Sequence, residues 1–249
     1  PPRFFISQSD RIGLHWQKQN QFPATTKRSM ALIVTQDGSH TIFSEKYGVP
    51  YHSRYGAISE SAHVYIDAGL RLKAVVQPEI SILEIGFGTG LNAFLSWMEA
   101  ERRNLLVRYV TIEAYPILPE EAEEFNYVEQ LGLRDRQASF LRLHRCAWER
   151  SVKLSVHFHL HKKQIRLEAY RSYQRFDLIY FDAFAPQAQP ELWTERILTL
   201  MYKALNPDGV FVTYCAKGDF KRLLKKVGFE VESVEGPPGK REMTRAWRE

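Results

Sequence analysis

Apolar runs with the length of β-strands alternate with stretches that show helical spacing of apolar residues, and this alternation restricts the fold more than any other feature. The runs ISILEIG, LLVRYVTIEA, FDLIYFDAF and GVFVTYCA are each followed by such a stretch. Strands that alternate with helices form a parallel sheet that is covered on both faces. The sequence therefore predicts a doubly wound α/β fold with a mostly parallel sheet over residues 76–249.

The last two strand-like runs, FEVESV and REMTRAW, are separated only by EGPPGK. A parallel crossover needs about a dozen residues or more, so we expect these runs to pair antiparallel at one edge of the sheet. Such an ending is typical of methyltransferase-like sheets and not of ordinary dinucleotide-binding sheets. VKLSVHFHL alternates as one further strand.

Residues 30–75 are predicted to form an N-terminal hairpin and a helix that pack on the main domain. In ALIVTQDGSHTIFS, the Asp37-Gly38 dipeptide suits the tight turn of a small β-hairpin. Ser59 is a candidate N-cap for the following helix. One face of that helix carries apolar residues at helical spacing, namely Ala62, Tyr65, Ile66 and Leu70.

The glycine-rich stretch LEIGFGTGLN places Gly86, Gly88 and Gly90 between the first parallel strand and the next helix. In a doubly wound fold, a ligand approaches the backbone here and meets the helix N-terminus. Dinucleotide enzymes prefer G-x-G-x-x-G. G-x-G-x-G with Glu84 just upstream is typical of S-adenosylmethionine enzymes, whose ligand carries a cationic amino-acid end and no phosphate. We therefore predict S-adenosylmethionine as the cofactor, with a dinucleotide or an empty tight turn as alternatives.

Two further acids follow predicted strands. Glu113 in TIEAYP is placed to accept hydrogen bonds from ribose hydroxyls, in either ligand class. Asp182 in FDAFAPQAQPELW lies at the end of the strand FDLIYF, which is the fourth when VKLSVHFHL is counted as the third. It is therefore across the same crevice. An acid, a proline-restricted loop and the rings of Phe184 and Trp193 suit a substrate nucleobase. The alternative is that Asp182 caps its loop and Trp193 belongs to the core.

Charge and composition exclude membrane-spanning and secreted classes of protein. Most of the net charge of +5 comes from residues 1–29, which we predict to be a basic arm or a segment that is not native; its bases are Arg3, Arg11, Lys18, Lys27 and Arg28. The chain has no apolar stretch of about 20 residues and no secretory pattern at its start, so we expect a cytoplasmic protein without membrane contact.

The cysteines and histidines predict no metal site. Cys146 and Cys215 form no ligand cluster. His157, His159 and His161 alternate on one predicted strand face but have no carboxylate or cysteine partner at suitable spacing.

Five motifs in order, GFGTGLN, EAYP, FDAFAPQAQPELW, AKGDFKRLLKKVGF and GKREM, resemble the methyltransferase domain of the tRNA 5-methylaminomethyl-2-thiouridine biosynthesis family. The resemblance runs from Leu32 to Trp247. It implies a Rossmann-like class I fold and methyl transfer from S-adenosylmethionine to the amine of 5-aminomethyl-2-thiouridine at the tRNA wobble position. Many relatives are fused to an oxidase that makes this amine. The sequence predicts a methyltransferase without it, linked to a separate supplying enzyme.

Carried over by position, the resemblance assigns the cofactor loop to Glu84, Gly86, Phe87, Gly88, Thr89, Gly90 and Asn92. Glu113 falls on the ribose contact, and Asp182 falls on the acid of the active-site loop, where it is counted as both cofactor-binding and catalytic. Phe184 is predicted to bind substrate. No side chain that reads the adenine is assigned, because HLHKKQ stands where relatives carry an acid.

Asp182 is predicted chiefly to orient the acceptor amine, with removal of its proton as a second role. Contacts with tRNA phosphates are predicted for Lys217, Lys240 and Arg241, whereas the lysines and arginine of the 221–226 helix face are expected to be solvated. Two rival functions remain open. One is transfer to a small-molecule amine, as in a polyamine synthase relative, and the other is a non-catalytic RNA-binding protein.

Overall fold

The computed structural model of the protein describes residues 31–171 and 174–249. The basic arm predicted for residues 1–29 lies outside them. The strands are β1 Leu32–Val34, β2 His40–Ser44, β3 Val49–Pro50, β4 Glu79–Ile85, β5 Leu106–Glu113, β6 Ser151–Lys153, β7 Phe158–Gln164, β8 Phe176–Phe181, β9 Leu205–Thr213, β10 Glu230–Glu235 and β11 Glu242–Trp247.

The central sheet has eight strands in the order β10-β11-β9-β8-β4-β5-β7-β6. Five of them, β9, β8, β4, β5 and β7, run parallel to one another. β11 lies antiparallel between β9 and the edge strand β10. The mostly parallel sheet and the antiparallel terminal pair are therefore both confirmed.

Helices cover both faces of this sheet. α1 Ala57–Ser61 continues through a π-helical segment, Ala62–Arg71, into α2 Leu72–Ala74. The others are α3 Leu91–Arg103, α4 Pro119–Ala122, α5 Tyr127–Gln130, α6 Gln137–Arg145, α7 Glu195–Ala204 and α8 Gly218–Val227. Short 3-10 turns occupy Arg134–Arg136, Leu167–Ala169 and Pro190–Leu192. In the described part of the chain, no helix combines the length and the apolar character that crossing a membrane requires.

The predicted N-terminal hairpin is confirmed as β1 and β2, and β3 extends it to a three-stranded antiparallel sheet. Ser59 does not cap the helix, so that prediction is wrong. The hairpin caps it instead, because Asp37 Oδ2 accepts the Ser59 N–H at 2.9 Å and Ser39 Oγ accepts the Ala57 N–H at 3.2 Å. These hydrogen bonds satisfy amides that a helix N-terminus otherwise leaves unpaired.

The helical segment 57–74 packs flat on one face of the sheet. At Gly69 a Cβ atom would lie 3.2 to 3.3 Å from the side chains of Tyr180, Leu178 and Val212, which belong to β8 and β9. The missing side chain lets the helix approach the strands closely. The opposite face of the sheet is covered by α7 and α8, whose apolar residues pack with Ile179, Phe181 and Phe211.

Two local predictions were wrong. VKLSVHFHL is not one strand but the antiparallel pair β6 and β7, with His157 in the turn and His159 and His161 on β7. The helical stretch expected after LLVRYVTIEA forms two short helices, α4 and α5, with a break between them. The described residues contain no group of three metal-ligating side chains.

Candidate functional site

A cavity opens at the carboxyl ends of the parallel strands where the strand order reverses, with β4 between β8 and β5. Ligands of open α/β sheets bind at this switch point. Four segments of the main sheet line the cavity, namely residues 85–92, 112–115, 165–168 and 182–192. Tyr47, Tyr51 and His52 close it from the N-terminal sheet.

The backbone of the glycine loop requires glycine. Gly86 and Gly90 have φ angles of 92° and 73°, which side chains disfavour. A Cβ at Gly86 would lie 2.7 Å from the backbone oxygen of Asp182, and one at Gly90 would lie 2.8 Å from His144 Nε2. The loop therefore runs directly against the Asp182 strand and leads into α3, whose first amides are free for a ligand.

A buried support holds this loop from behind. Phe87 packs on His144 with ring centroids 5.3 Å apart, and His144 Nε2 lies 3.2 Å from the backbone oxygen of the buried Thr89. Burial lowers the pKa of His144 to about 3, so its ring is neutral. Lys162 is fully buried in β7 and donates to the carbonyls of Leu143 and His144, both at 2.8 Å. Its charge thereby stabilises the C-terminus of α6.

Glu113 at the end of β5 is held in a fixed orientation. One carboxylate oxygen accepts the Tyr115 N–H at 2.8 Å, and the other accepts the Gly88 N–H at 3.1 Å. Burial raises the pKa of Glu113, whereas these backbone donors lower it. Each oxygen keeps capacity for another donor. The side chain lines the cavity and can accept hydrogen bonds from a ribose.

Asp182 follows β8 directly and is partly exposed to the cavity. Asn92 Nδ2, from the first turn of α3, donates to Asp182 Oδ2 at 2.8 Å. Burial raises the pKa of Asp182 to about 6, and the nearby Tyr65 hydroxyl and the Asn92 amide oppose that rise. Asp182 therefore titrates close to neutral pH, which suits a group that holds or accepts a proton.

Glu84 does not reach the cavity wall. Its side chain is fully buried on the face of β4 that packs against α3, and its oxygens have no hydrogen-bond partner of normal geometry. Burial raises the pKa of Glu84 well above its usual range, which favours the neutral acid. The position of Glu84 before the loop suggested a direct contact with the cofactor, but the side chain does not face the cavity.

Phe184 and Trp193 take different roles. Phe184 lines the cavity and packs against Tyr47 and Tyr51, with ring centroids 4.6 and 4.9 Å away. Gln189 ties this cluster together, because its amide donates to Tyr47 Oη at 3.1 Å and accepts the Phe184 N–H at 3.2 Å. Trp193 is a core residue, 8% exposed, as the alternative reading held.

Two walls of the cavity were not predicted from the sequence. Tyr47 and Tyr51 come from a segment far from the glycine loop, and only their aromatic character in KYGVPY signalled them. The other wall is residues 165–168, directly after β7. Glu168 lies there, paired with Arg166 at 3.0 Å. Glu168 was not considered in the sequence, because the search for an acid stopped at HLHKKQ whereas β7 extends to Gln164.

The predicted phosphate contacts lie apart from the cavity wall. Lys217 at the start of α8 and Arg241 between β10 and β11 are exposed. Lys240 is placed differently from the prediction. Its Nζ lies 3.1 Å from Glu60 Oε1 and 4.0 Å from the ring centre of Tyr214. This pairing leaves its charge largely compensated, so it is a poor phosphate contact.

The charge of the cavity distinguishes between ligand classes. The carboxyl groups of Glu113 and Asp182 flank the glycine loop, and Arg166, which also lines the cavity, is already paired. A pyrophosphate would be repelled here, whereas a cationic nucleoside would be attracted. The glycine cradle and the held carboxylate of Glu113 fit S-adenosylmethionine.

The fold and this site define a nucleoside-binding methyltransferase. A family model described as "S-adenosyl-L-methionine-dependent methyltransferase" matches residues 123–249, just over half of the chain. The chain belongs to this family, and its cofactor is S-adenosyl-L-methionine.

The relatives that this chain resembles carry the same kind of name. A tRNA 5-methylaminomethyl-2-thiouridine biosynthesis bifunctional protein MnmC from Delftia acidovorans is 30% identical over 214 residues, covering 81% of this chain and 32% of the relative. The protein of the same name from Azoarcus sp. is 29% identical and covers 86% and 35%. The chain thus spans about a third of these curated relatives. The crystal structure of MNMC2 from Aquifex aeolicus superposes with a TM-score of 0.68 at 25% identity, covering 98% of this chain and 78% of that one.

Proposed function

We propose that this protein methylates the exocyclic amine of 5-aminomethyluridine or its 2-thio form at the wobble position of tRNA. The observation that carries the proposal is Asp182, a carboxyl that titrates near pH 6 in a cavity shared with the glycine loop and an aromatic wall. The names of the Delftia and Azoarcus relatives, which refer to tRNA 5-methylaminomethyl-2-thiouridine biosynthesis, support the same substrate class.

We assign the cofactor site to the loop of Gly86, Gly88 and Gly90, to the backbone around Phe87 and Thr89, and to Glu113. When bound, S-adenosylmethionine would supply an electrophilic methyl carbon, to which the amine nitrogen forms a bond while the C–S bond breaks and the sulfur leaves as a neutral thioether. Glu113 accepts ribose hydroxyls. Glu168 accepts the adenine amine, because it lines the cavity beyond β7 and beside the Glu113 strand. Asn92 acts through Asp182, and Glu84 acts from the core and not by contact.

Asp182 holds the acceptor amine. A free alkylamine is mostly an ammonium at neutral pH and has no lone pair, so a proton must leave before transfer. The carboxylate of Asp182 accepts one N–H and orients the nitrogen lone pair away from itself, which supplies the positional part of the rate enhancement. With a pKa near 6, Asp182 can also accept the departing proton or pass it to water.

Phe184, with Tyr47 and Tyr51, forms the wall for the uracil ring. Base stacking on aromatic side chains is a common means of holding an exposed nucleobase. Lys217 and Arg241 contact tRNA phosphates. A separate active site must install the aminomethyl group, because methyl transfer consumes an amine that already exists.

The direct test is a labelled-methyl assay on tRNA from cells that lack the final methylation, followed by nucleoside analysis. We expect label in 5-methylaminomethyl nucleosides with the wild type and at least a hundredfold less with Asp182→Ala, in the range of losses seen for an acid–base residue. Label confined to small amines would replace the tRNA proposal with the small-molecule rival. Cofactor binding without any transfer would favour the non-catalytic RNA-binding rival.

The phosphate contacts are tested through salt dependence. Lys217→Ala and Arg241→Ala should weaken tRNA binding and each reduce the slope of log affinity against log salt by about 1. Lys203→Ala is the matched control, because Lys203 is exposed at the end of α7, next to the start of β9, whereas Lys217 lies beyond the other end of that strand. Equal slopes for all variants would contradict the assignment.

A further inference from the structure

Glu60 and Lys240, from two segments distant in the sequence, form an ion pair near Asp182. Glu60 belongs to α1, and Lys240 belongs to the connection between β10 and β11. Lys240 Nζ lies 3.1 and 3.3 Å from the two oxygens of Glu60. The Glu60 side chain is only 10% exposed and that of Lys240 is 30% exposed. The pair is therefore shielded from solvent more than an ordinary surface ion pair.

Two tyrosines connect the pair to Asp182. Lys240 Nζ lies over the Tyr214 ring, 4.0 Å from its centre, and Tyr214 Oη donates to the Ala183 carbonyl at 2.8 Å. Ala183 is the residue after Asp182. Tyr65, about one turn beyond Glu60 on the same helical segment, brings its buried hydroxyl next to Asp182 without a hydrogen bond of normal geometry. Tyr214 thus contacts both Lys240 and the backbone of the residue next to Asp182.

We propose that Glu60 and Lys240 form a positioning pair in which each charge cancels the effect of the other on Asp182, so that loss of either partner alone changes the charge of Asp182. The proposal rests on the proposed function in taking Asp182 as the acid that holds the amine. It gives Lys240 a role in the interior in place of a phosphate contact.

The direction of each effect follows from the charges. Lys240 lowers the pKa of Asp182 and Glu60 raises it, while burial is the largest cause of its rise to about 6. Removing Lys240 alone leaves an unpaired negative charge and should raise the pKa of Asp182. Removing Glu60 alone should lower it. The groups that surround Asp182 from the packed elements are Glu60, Tyr65, Glu84, Asn92, Tyr109, Tyr214 and Lys240.

A second lysine–glutamate ion pair provides a control. Lys221 on α8 pairs with Glu242 on β11 at 2.8 Å, with the lysine side chain 16% exposed. Lys221→Gln therefore removes the same charge from a comparable pair that is not among the groups acting on Asp182.

The experiment is a pH titration of the Asp182 carboxyl carbon by NMR in the full chain labelled with 13C-aspartate, with the signal assigned by Asp182→Asn. We expect Lys240→Gln to raise the pKa of Asp182 and Glu60→Gln to lower it, each by about 0.5 pH unit or more. Lys240→Arg, Lys221→Gln and the double variant Glu60→Gln/Lys240→Gln should stay close to the wild type.

Shifts of both single variants in the same direction, or none, would overturn the proposal. A double variant that stays displaced by about 0.5 unit would do the same, and it decides the matter if a single variant does not fold, because it leaves no unpaired charge. The titration uses no tRNA, so failure of the proposed substrate leaves it intact. The pH profile of methyl transfer should move with the NMR shifts, whereas a purely structural defect would lower the rate at every pH.

Discussion

Asp182→Asn should make the protein more stable while it abolishes most activity. Burial raises the pKa of Asp182 from 3.8 to about 6 in the folded protein. A raised carboxyl pKa means that the folded state resists ionisation, so the carboxylate lowers the free energy of unfolding progressively as pH rises from the unfolded pKa through the folded one. At 1.36 kcal/mol per pKa unit, the cost is about 0.5 kcal/mol at pH 4 and about 3 kcal/mol at pH 7, as an upper limit.

Asparagine removes this cost, because it stays neutral and its oxygen can still accept the Asn92 amide. The assay is equilibrium urea unfolding of wild type and Asp182→Asn at pH 4, 5 and 7. We expect the stability gain to grow over this range and to level off above pH 6. Asp135→Asn serves as the control, because the Asp135 side chain is 76% exposed. A gain that does not change with pH, or a loss of stability at pH 7, would refute the assignment of a raised pKa.

Three further outcomes follow from single contacts. Gly86→Ala places a Cβ 2.7 Å from the Asp182 backbone oxygen, at a φ angle of 92°. Calorimetry should therefore show that the variant binds the cofactor at least tenfold more weakly. Gly132→Ala is the control and should bind normally, because Gly132 has a φ angle of 69° but faces open space. Glu113→Gln should weaken cofactor binding about 10- to 100-fold by loss of charged hydrogen bonds, with unchanged affinity counting against the ribose role. Lys162→Met removes the ammonium from the Leu143 and His144 carbonyls, of which only the first still accepts from Cys146 Sγ, and should lower the free energy of unfolding by about 1 to 3 kcal/mol in urea. No loss would show that water replaces the ammonium.

The regular part of the fold could be predicted because its signal is local. The parallel strands β4, β5, β8 and β9 each contain an apolar run, and each glycine of the loop has a positive φ angle that other residues disfavour. The same holds for Asp182, whose position directly after β8 places it at the carboxyl edge once the sheet is parallel.

The β6–β7 pair could not be predicted in the same way. Its turn at residues 154–157 contains neither glycine nor proline, so the alternation of VKLSVHFHL continues through it unbroken. This error hid the end of β7, and with it Glu168 as an acid that lines the cavity just beyond that strand. The position of an acid relative to a strand end has meaning only when the strand end is known.

By itself, the sequence determined the parallel sheet, the antiparallel terminal pair, the cofactor loop and the acid across from it, because all of these depend on residue patterns a few positions long. Only the tertiary structure decided which side chains meet. It buried Glu84 away from the cavity, brought Tyr47 and Tyr51 onto Phe184, and paired Lys240 with Glu60. The physical reason is that burial and pairing depend on contacts between segments up to 180 residues apart, which no local pattern records.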